Sequence, residues 1–268
     1  MKSSVSPLTR RLMTNWWLVQ NCKDVRTALI LKGYAHPKHD RRYDQLRLRG
    51  LDQAVLYRPG STDVSVAWEL FHTEEYAVSK PWPFRTVVDG GANCGMFMLW
   101  LLRQSAGALT KYVGIEADAD SFKALEQQAK ACGITDRATL VNAAIWDSDG
   151  SVAFETSGPS WGHKVDTGGS GNVVKAMTLQ SILDAANLPS CDLLKLDIEG
   201  GERQVLPAIL SSCPERFHVV VAELHDELDY DWFARVTERA GFVSRPPGAL
   251  FNSHPGAVRR GSPFERLL

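Results

Sequence analysis

The segment Thr86–Gly95 constrains the fold of this 268-residue chain more than any other. It reads as a short buried strand ending on Asp89, then a glycine turn, then an amphipathic stretch from Met96 to Arg103. Glycine allows positive φ angles and lets a ligand approach the backbone, and the helix N-terminus offers free N–H groups. The segment therefore predicts a strand, loop and helix that cradle a nucleotide-derived cofactor.

Two classes of cofactor fit such a cradle. A dinucleotide site has the pattern G-x-G-x-x-G, and Gly90–Gly95 departs from it by alanine at the middle glycine. Asp89 would repel a pyrophosphate but attract the sulfonium and ammonium groups of S-adenosylmethionine (SAM), which has no phosphate. The next predicted strand ends on Glu116, whose carboxylate can accept ribose hydroxyls of either cofactor. The charge of Asp89 favours SAM, and a nicotinamide-dependent oxidoreductase stays as an alternative.

Strand and helix patterns alternate after residue 85. Parallel strands need crossover connections, so this alternation predicts a Rossmann-like, doubly wound and mostly parallel α/β sheet. Two late strands, 242–245 and 249–252, are expected to close the sheet as an antiparallel hairpin. The predicted parallel strands are 87–89, 112–116, 139–145, 193–198 and 218–224.

The first 80 residues follow a different pattern. They predict helices within 7–32, a strand at 54–58 and a helix at 64–76. The segment Lys80-Pro81-Trp82-Pro83 marks a boundary, because proline ends helices and disfavours helical backbone in the residue before it. We therefore expect a mixed helical cap at 1–80, which also offers a homodimer contact, over a cofactor domain at 81–268.

Composition excludes several partner classes. The net charge of −1 gives no reason to expect nucleic acid, and no stretch approaches the ~20 apolar residues needed to span a membrane. The five cysteines are scattered without a C-x-x-C pair, which argues against a disulfide scaffold or structural zinc. These features predict a cytoplasmic protein with reduced thiols.

Polar residues stand where the predicted strands end. Ligands of open α/β sheets bind outside the carboxyl ends of the strands. Asp89 and Glu116 occupy two such ends, the acidic run Leu196–Glu202 follows a third, and Glu223-Leu224-His225 follows a fourth. We expect these side chains to meet at one rim of the sheet.

The order and spacing of these motifs resemble the FkbM family of SAM-dependent methyltransferases. The resemblance covers roughly residues 50 to 245, and includes Arg58–Asp63 and Glu75-Tyr76 upstream of the cradle. One departure is Ala117, which stands where the family usually has proline. The resemblance implies a class I methyltransferase fold with seven strands, and methyl transfer from SAM to a hydroxyl of a sugar or another small metabolite. Its motifs are Val88–Gly95, Ile115-Glu116, Leu194–Glu202 and Glu223–His225.

Cofactor contacts are expected from the cradle and from the next two strand ends. Small side chains around Asn142-Ala143-Ala144 leave room for a flat adenine ring. The predicted cofactor-binding residues are Asp89, Gly90, Gly91, Ala92, Asn93, Gly95, Glu116, Ala117, Asn142, Ala143 and Asp197.

Methylation of a hydroxyl requires a base or a metal ion, because an alcohol is a poor nucleophile until its proton leaves. His225 is the predicted base, since imidazole titrates near pH 7, with Asp197 or Glu223 orienting it or holding the acceptor. A less favoured alternative is a hard-cation site of the Mg²⁺ type, predicted from Asp197, Glu223 and His225 with Glu199 beside them. Glu199, and Trp161 and His163 in the glycine- and serine-rich segment 155–172, are the predicted substrate contacts.

Overall fold

A seven-stranded sheet forms the centre of the fold. The computed structural model describes residues 7–34, 42–78, 82–155, 164–165, 172–225 and 227–268. The strands of these residues are β1 Asp44–Leu46, β2 Val55–Tyr57, β3 Thr86–Gly90, β4 Lys111–Glu116, β5 Ala138–Asn142, β6 Ala144–Ile145, β7 Gly150–Glu155, β8 Lys164–Val165, β9 Asn172–Met177, β10 Cys191–Leu196, β11 Phe217–Ala222, β12 Phe242–Arg245 and β13 Gly256–Arg259.

The strand order is β12-β13-β11-β10-β3-β4-β5. Strands β11, β10, β3, β4 and β5 are parallel, and β13 runs antiparallel to both β11 and β12. This arrangement confirms the mostly parallel, doubly wound, seven-stranded α/β sheet. The chain order reverses between β3 and β10, and ligand sites of open sheets form beside such a reversal.

Helices cover both faces of the sheet. Successive side chains of a strand point to opposite faces of the sheet. Val87 therefore packs in one hydrophobic cluster with α4 and α5, and Val88 packs in the other with α6, α7 and α8. None of the described helices is long and apolar enough to cross a membrane. The helices are α1 Pro7–Asn21, α2 Val25–Leu31, α3 Asp63–Trp68, α4 Met96–Ser105, α5 Ala119–Ala131, α6 Leu179–Ala185, α7 Glu202–Ser212 and α8 Tyr230–Arg239.

The N-terminal segment shares a core with the sheet. Leu46, Tyr57 and Phe71 belong to the same buried cluster as Val87 and Met98. Residues 79–81 lie outside the described part of the chain, so the boundary predicted there stays a prediction. The predicted homodimer contact also stays a prediction.

The helix predicted at 64–76 is in fact two pieces. Helix α3 ends at Trp68, and a π-helical turn, Glu69–Thr73, continues to Glu74, whose φ is 50°. A π-helical turn rotates the following side chains relative to a regular helix, and such turns occur often at functional sites. The turn places Glu69 and Leu70 on the wall of the cavity described below.

Two predicted strands have different boundaries in the structure. The strand predicted at 139–145 breaks at Ala143, so that β5 joins the main sheet and β6 joins a second sheet, β6-β9-β7-β8. The hairpin strand predicted at 249–252 is part of a turn, and β13 takes its place. The buried ring of Phe251 packs where a Cβ at Gly256 would lie 2.6 Å from it, so this apolar residue fills the core instead of pairing in the sheet.

Replacement of Gly91 tests how tightly the glycine loop packs on β10. A Cβ added at Gly91 would lie 1.7 Å from the carbonyl oxygen of Asp197, whereas one added at Gly107 meets nothing within 4 Å. Both glycines have left-handed backbone, with φ of 75° and 88°. Gly107→Ala should therefore lower the free energy of unfolding by only about 1–2 kcal/mol, the cost of placing a Cβ on left-handed backbone. Gly91→Ala should cost about 1–3 kcal/mol more, because overpacking adds to that penalty.

Urea denaturation of the two variants measures both losses. Equal losses of unfolding free energy in Gly91→Ala and Gly107→Ala would contradict the close approach of the loop to the end of β10.

Candidate active site

A cavity of about 390 Å³ opens at the carboxyl ends of the central strands. The glycine loop after β3 and the ends of β4, β10 and β11 form its floor, and the π-helical turn with Glu75 and Tyr76 forms the opposite wall. Both the sheet and the N-terminal segment therefore build the site. The cavity brings together most of the strand ends that the sequence pattern selected.

The glycine loop turns sharply between β3 and α4. Gly91 and Asn93 both have left-handed backbone, and the amides of Gly91 and Ala92 donate to the carbonyl of Ile115 at 3.0 and 2.9 Å. Gly91, Ala92 and Asn93 line the cavity, as predicted for a cradle. The loop thus presents backbone to the cavity at the N-terminus of α4.

Glu116 holds the loop from the end of β4. Its carboxylate accepts hydrogen bonds from the backbone amides of Asn93 and Asp118, both at 2.8 Å. Burial raises the pKa of Glu116 to about 7, although these two amides oppose the shift. Glu116, Ala117 and Ala143 line the cavity. The carboxylate therefore faces both the loop and the space where a ligand would lie.

Four residues predicted to touch the cofactor do not line the cavity. Asn142 lies behind its wall, where its side-chain amide donates to the carbonyls of Glu116 and Ala117. Gly90 is packed within β3 against Ile145 and Leu196, and Gly95 precedes α4 and packs against Leu125. The fourth is Asp89. The structure places these four residues around the cavity instead of on its lining, and their contact with the cofactor stays a prediction.

Asp89 is fully buried beneath the loop. Tyr112 donates its hydroxyl hydrogen bond to one carboxylate oxygen at 2.6 Å, and the ammonium of Lys195 lies 3.1 Å from the other. The charge argument that placed Asp89 beside a cationic ligand therefore describes its interaction with Lys195 instead. A buried carboxylate needs such a partner, because an isolated charge in the interior is very costly.

Lys195 joins three parts of the site. Its Nζ lies 3.1 Å from Asp89 and 3.2 Å from Asp197, and it donates to the carbonyl of Gly91 at 3.0 Å. Burial lowers the pKa of Lys195, but the charges of Asp197 and Asp89 outweigh it and raise this pKa above its ordinary value. The predicted site residues omitted Lys195. The signal was present, since a lysine inside an apolar strand requires buried partners.

Carboxylates dominate the wall away from the glycine loop. Among the described residues that line the cavity, Lys195 is the one cationic side chain, and Asp89 and Asp197 already compensate it. Burial is the main cause that raises the pKa of Glu69, and it raises the pKa of Glu199 to about 7. This end of the cavity therefore suits a cation or a hydroxyl-rich group, and disfavours phosphate. Its acidic residues are Glu69, Glu75, Asp197, Glu199 and Glu223.

His225 stands behind this rim and does not itself line the cavity. Its Nδ1 lies 3.1 Å from Glu202, and its Nε2 lies 3.4 Å from Glu199 and 3.8 Å from both Asp197 and Glu223. Burial would lower the pKa of His225, but the hydrogen bond to Glu202 and the surrounding carboxylates raise it to about 9. At neutral pH the ring is therefore an imidazolium, which is not the form a general base requires.

Arg58 connects the N-terminal segment to the glycine loop, a link the predicted site residues did not include. It forms a bidentate pair with buried Asp63, with nitrogen–oxygen distances of 2.7 and 3.0 Å. Its guanidinium also donates to Ser121 at 3.2 Å and to Asn93 at 3.4 Å. The predicted substrate contacts Trp161 and His163 lie outside the residues that the structure describes.

Comparison with known families gives one match that covers more than half of the chain. A sequence model described as the methyltransferase FkbM domain matches residues 89–246. The match includes the glycine loop, Glu116, Lys195 and three of the acidic residues, Asp197, Glu199 and Glu223, but neither Glu69 nor Glu75. No curated protein sequence matches the chain.

Solved structures give weaker likenesses. Methyltransferase FkbM from Methylobacillus flagellatus is 12% identical with a TM-score of 0.46, over 94% of this chain and 59% of that one. The O-methyltransferase of neocarzinostatin biosynthesis is 16% identical with a TM-score of 0.45, over 74% of this chain and 56% of that one. That protein was crystallised with S-adenosylhomocysteine and 1,4-dihydroxy-2-naphthoic acid. The N-terminal domain of human METTL16 is 11% identical with a TM-score of 0.39, over 73% and 68%. The chain thus spans 59% of the length of the first of these proteins.

A double-mutant cycle tests whether Lys195 and Asp89 stabilise the site as a pair. Lys195→Met should cost at least about 3 kcal/mol of unfolding free energy, because it leaves a buried carboxylate without its partner. Adding Asp89→Asn should recover part of that loss, since the amide carries no charge to leave unpaired. Chemical denaturation of both single variants and the double variant gives the coupling energy. Strictly additive losses would mean that the two side chains do not interact.

Proposed function

The chain belongs to the FkbM family of methyltransferases, and we propose that it methylates a hydroxyl oxygen of a small polar acceptor, such as a sugar or another hydroxylated metabolite. S-adenosylmethionine is the methyl donor, and it supplies a methyl group already activated on a sulfonium sulfur. The observation that carries the proposal is the family match over residues 89–246, which contribute most of the lining of a cavity with carboxylates on its acceptor side.

The residues of the cavity fit this donor. Glu116 offers a carboxylate to ribose hydroxyls, and Ala117 and Ala143 leave space for a flat base. Gly91 has no room for a Cβ, so the loop backbone itself forms the wall. The rim beyond is acidic, which attracts a sulfonium and an ammonium and repels the pyrophosphate of a dinucleotide.

The rim carboxylates are the groups placed to meet the acceptor. Asp197, Glu199 and Glu223 line the cavity, so each can accept a hydrogen bond from an acceptor hydroxyl and receive its proton as the oxygen gains the methyl group. His225, the base predicted from the sequence, lies one side chain further back, with its Nε2 3.4 Å from Glu199. In this proposal the rim carboxylates meet the acceptor, and His225 contacts those carboxylates from behind instead of meeting the acceptor itself.

The state of the cysteines bears on the proposed cytoplasmic location. All five cysteines are free and buried. Unpaired buried thiols support the cytoplasmic location predicted from the sequence, where thiols stay reduced.

A thermal-shift panel with SAM, S-adenosylhomocysteine (SAH), NAD and NADP tests the choice of cofactor. A ligand that binds the native state at 100 times its dissociation constant stabilises it by about 2.7 kcal/mol. SAM and SAH should raise the melting temperature, and the two nicotinamide cofactors should not. A shift with NAD or NADP alone would identify an oxidoreductase and overturn the proposal.

The affinity for SAH should depend on pH through Glu116. The ionised carboxylate is the form that accepts both ribose hydroxyls, and burial raises its pKa to about 7, above the ordinary value for glutamate. The proton is therefore bound below pH 7 and must be displaced for the ligand to bind. SAH should bind about tenfold more weakly at pH 6 than at pH 8. Isothermal titration calorimetry over this range measures the effect.

Two variants separate Glu116 from Glu199, another cavity residue whose pKa burial raises to about 7. Glu116→Gln should bind SAH more weakly and with a flat pH profile, whereas Glu199→Gln should keep the slope. If the Glu116→Gln variant retained the wild-type slope, another group would control donor binding.

A further inference from the structure

The Glu202 carboxylate fixes the orientation of the His225 ring. Glu202 is fully buried, and its two oxygens already accept the backbone amides of Ile198 at 2.8 Å and Gly200 at 3.0 Å. The oxygen shared with Ile198 lies 3.1 Å from Nδ1 of His225. A carboxylate held in this way accepts the Nδ1–H, so Nε2 is the outward-facing nitrogen, and a cation that binds there displaces the Nε2 proton. Metal-binding histidines characteristically have this second contact on the ring nitrogen that does not bind the metal.

Three carboxylate oxygens converge on that outward-facing nitrogen. Nε2 lies 3.4 Å from Glu199 and 3.8 Å from both Asp197 and Glu223. Ligand atoms of Asp197, Glu223 and His225 all lie within 4.8 Å of one another. Nitrogen and oxygen atoms that each lie about 2.0–2.2 Å from a shared cation are separated by distances of this order. The spacing of these three ligand atoms therefore allows all of them to bind one cation placed between them.

A second imidazole, that of His254, lies between this cluster and residues Glu75 and Tyr76 of the N-terminal segment. His254 is more than nine-tenths buried, and its Nε2 has no hydrogen-bond partner among the described residues. That nitrogen lies 3.9 Å from the second oxygen of Glu223 and 3.7 Å from Glu75. The ring stacks on Tyr76, with centroids 4.5 Å apart, so its plane is held. Glu223 therefore lies between two imidazoles, and His254 can orient the oxygen that does not face His225.

We propose that Asp197, Glu223 and His225 bind one divalent cation, with Glu202 and His254 as positioning residues behind the ligands. Carboxylates suit Mg²⁺, Ca²⁺ and Mn²⁺, whereas imidazole suits Zn²⁺, Fe²⁺ and other transition metals. The mixed set of two carboxylates and one imidazole therefore selects a cation of the Mn²⁺ and Zn²⁺ class. Asp197 and Glu223 also line the cavity, so the cation lies where the acceptor hydroxyl would bind.

The catalytic consequence rests on the proposed methyl transfer, but cation binding does not. A divalent cation at the rim would hold the acceptor oxygen and favour loss of its proton to Glu199, whose carboxylate borders the same point. The bond from sulfur to methyl then breaks as the bond from oxygen to methyl forms, and the proton stays on the carboxylate until solvent takes it.

Mn²⁺ titration of the full chain tests the proposal. The protein is treated with EDTA, transferred to metal-free buffer and titrated with MnCl₂, with free Mn²⁺ followed by electron paramagnetic resonance. Wild type should bind one Mn²⁺ per chain. His225→Gln and Glu223→Gln should each weaken binding by at least about tenfold, the lower bound for loss of even an outer-shell partner. Both side chains are partly exposed, so the variants should fold, which circular dichroism verifies.

Glu69→Gln is the matched control, because it removes a carboxylate that lines the same cavity but is not one of the proposed ligands. It should weaken Mn²⁺ binding much less than His225→Gln does, since it removes only a neighbouring charge. Failure of wild type to bind Mn²⁺ while SAH still raises the melting temperature would overturn the cation site and leave the proposed function standing. Equal weakening by Glu69→Gln and His225→Gln would also overturn it, since diffuse negative charge would then explain binding. Stoichiometric Mn²⁺ without any response to SAM or SAH would instead remove the proposed function alone.

Discussion

The buried ammonium of Lys195 is the interaction on which the rest of the site depends. It lies on β10 directly beside Asp89 of β3, the strand pair at which the chain order of the sheet reverses. The same ammonium contacts Asp197 and the carbonyl of Gly91, so one charge links β3, the acidic rim and the glycine loop. A charge this deeply buried is tolerated only with such compensation, which makes the geometry of the site specific.

Much of the fold follows from local patterns in the sequence. The apolar strands around Val87, Val113 and Val220, with helical periods between them, were enough to predict the parallel sheet. The break at Ala143 and the position of β13 were not predictable in this way. Both depend on which strand partner is available in the folded sheet, and in both segments several apolar residues allow more than one register. Phe251 fills the core in the structure, yet in sequence it looks like part of a strand.

The sequence predicts the backbone geometry of the glycine loop and the strand ends that meet at the cavity, but it does not predict how the charges pair. The left-handed turn and Glu116 lie where the motif placed them, because glycines and a strand-terminal acid have local causes. Asp89 was assigned to a ligand because its actual partner, Lys195, lies more than a hundred residues away in sequence. The raised pKa of His225 likewise comes mainly from Glu202 at the start of α7, and then from Asp197 and Glu199 after β10, a grouping that no spacing rule specifies.

The central claim is that the donor lies on the glycine loop, with its reactive end toward the acidic rim. A crystal structure of the chain with SAH tests this directly. The account predicts ribose hydroxyls on the carboxylate of Glu116, adenine beside Ala117 and Ala143, and the sulfur facing Asp197 and Glu223. SAH bound with its ribose away from Glu116, or with its sulfur directed away from that rim, would contradict it.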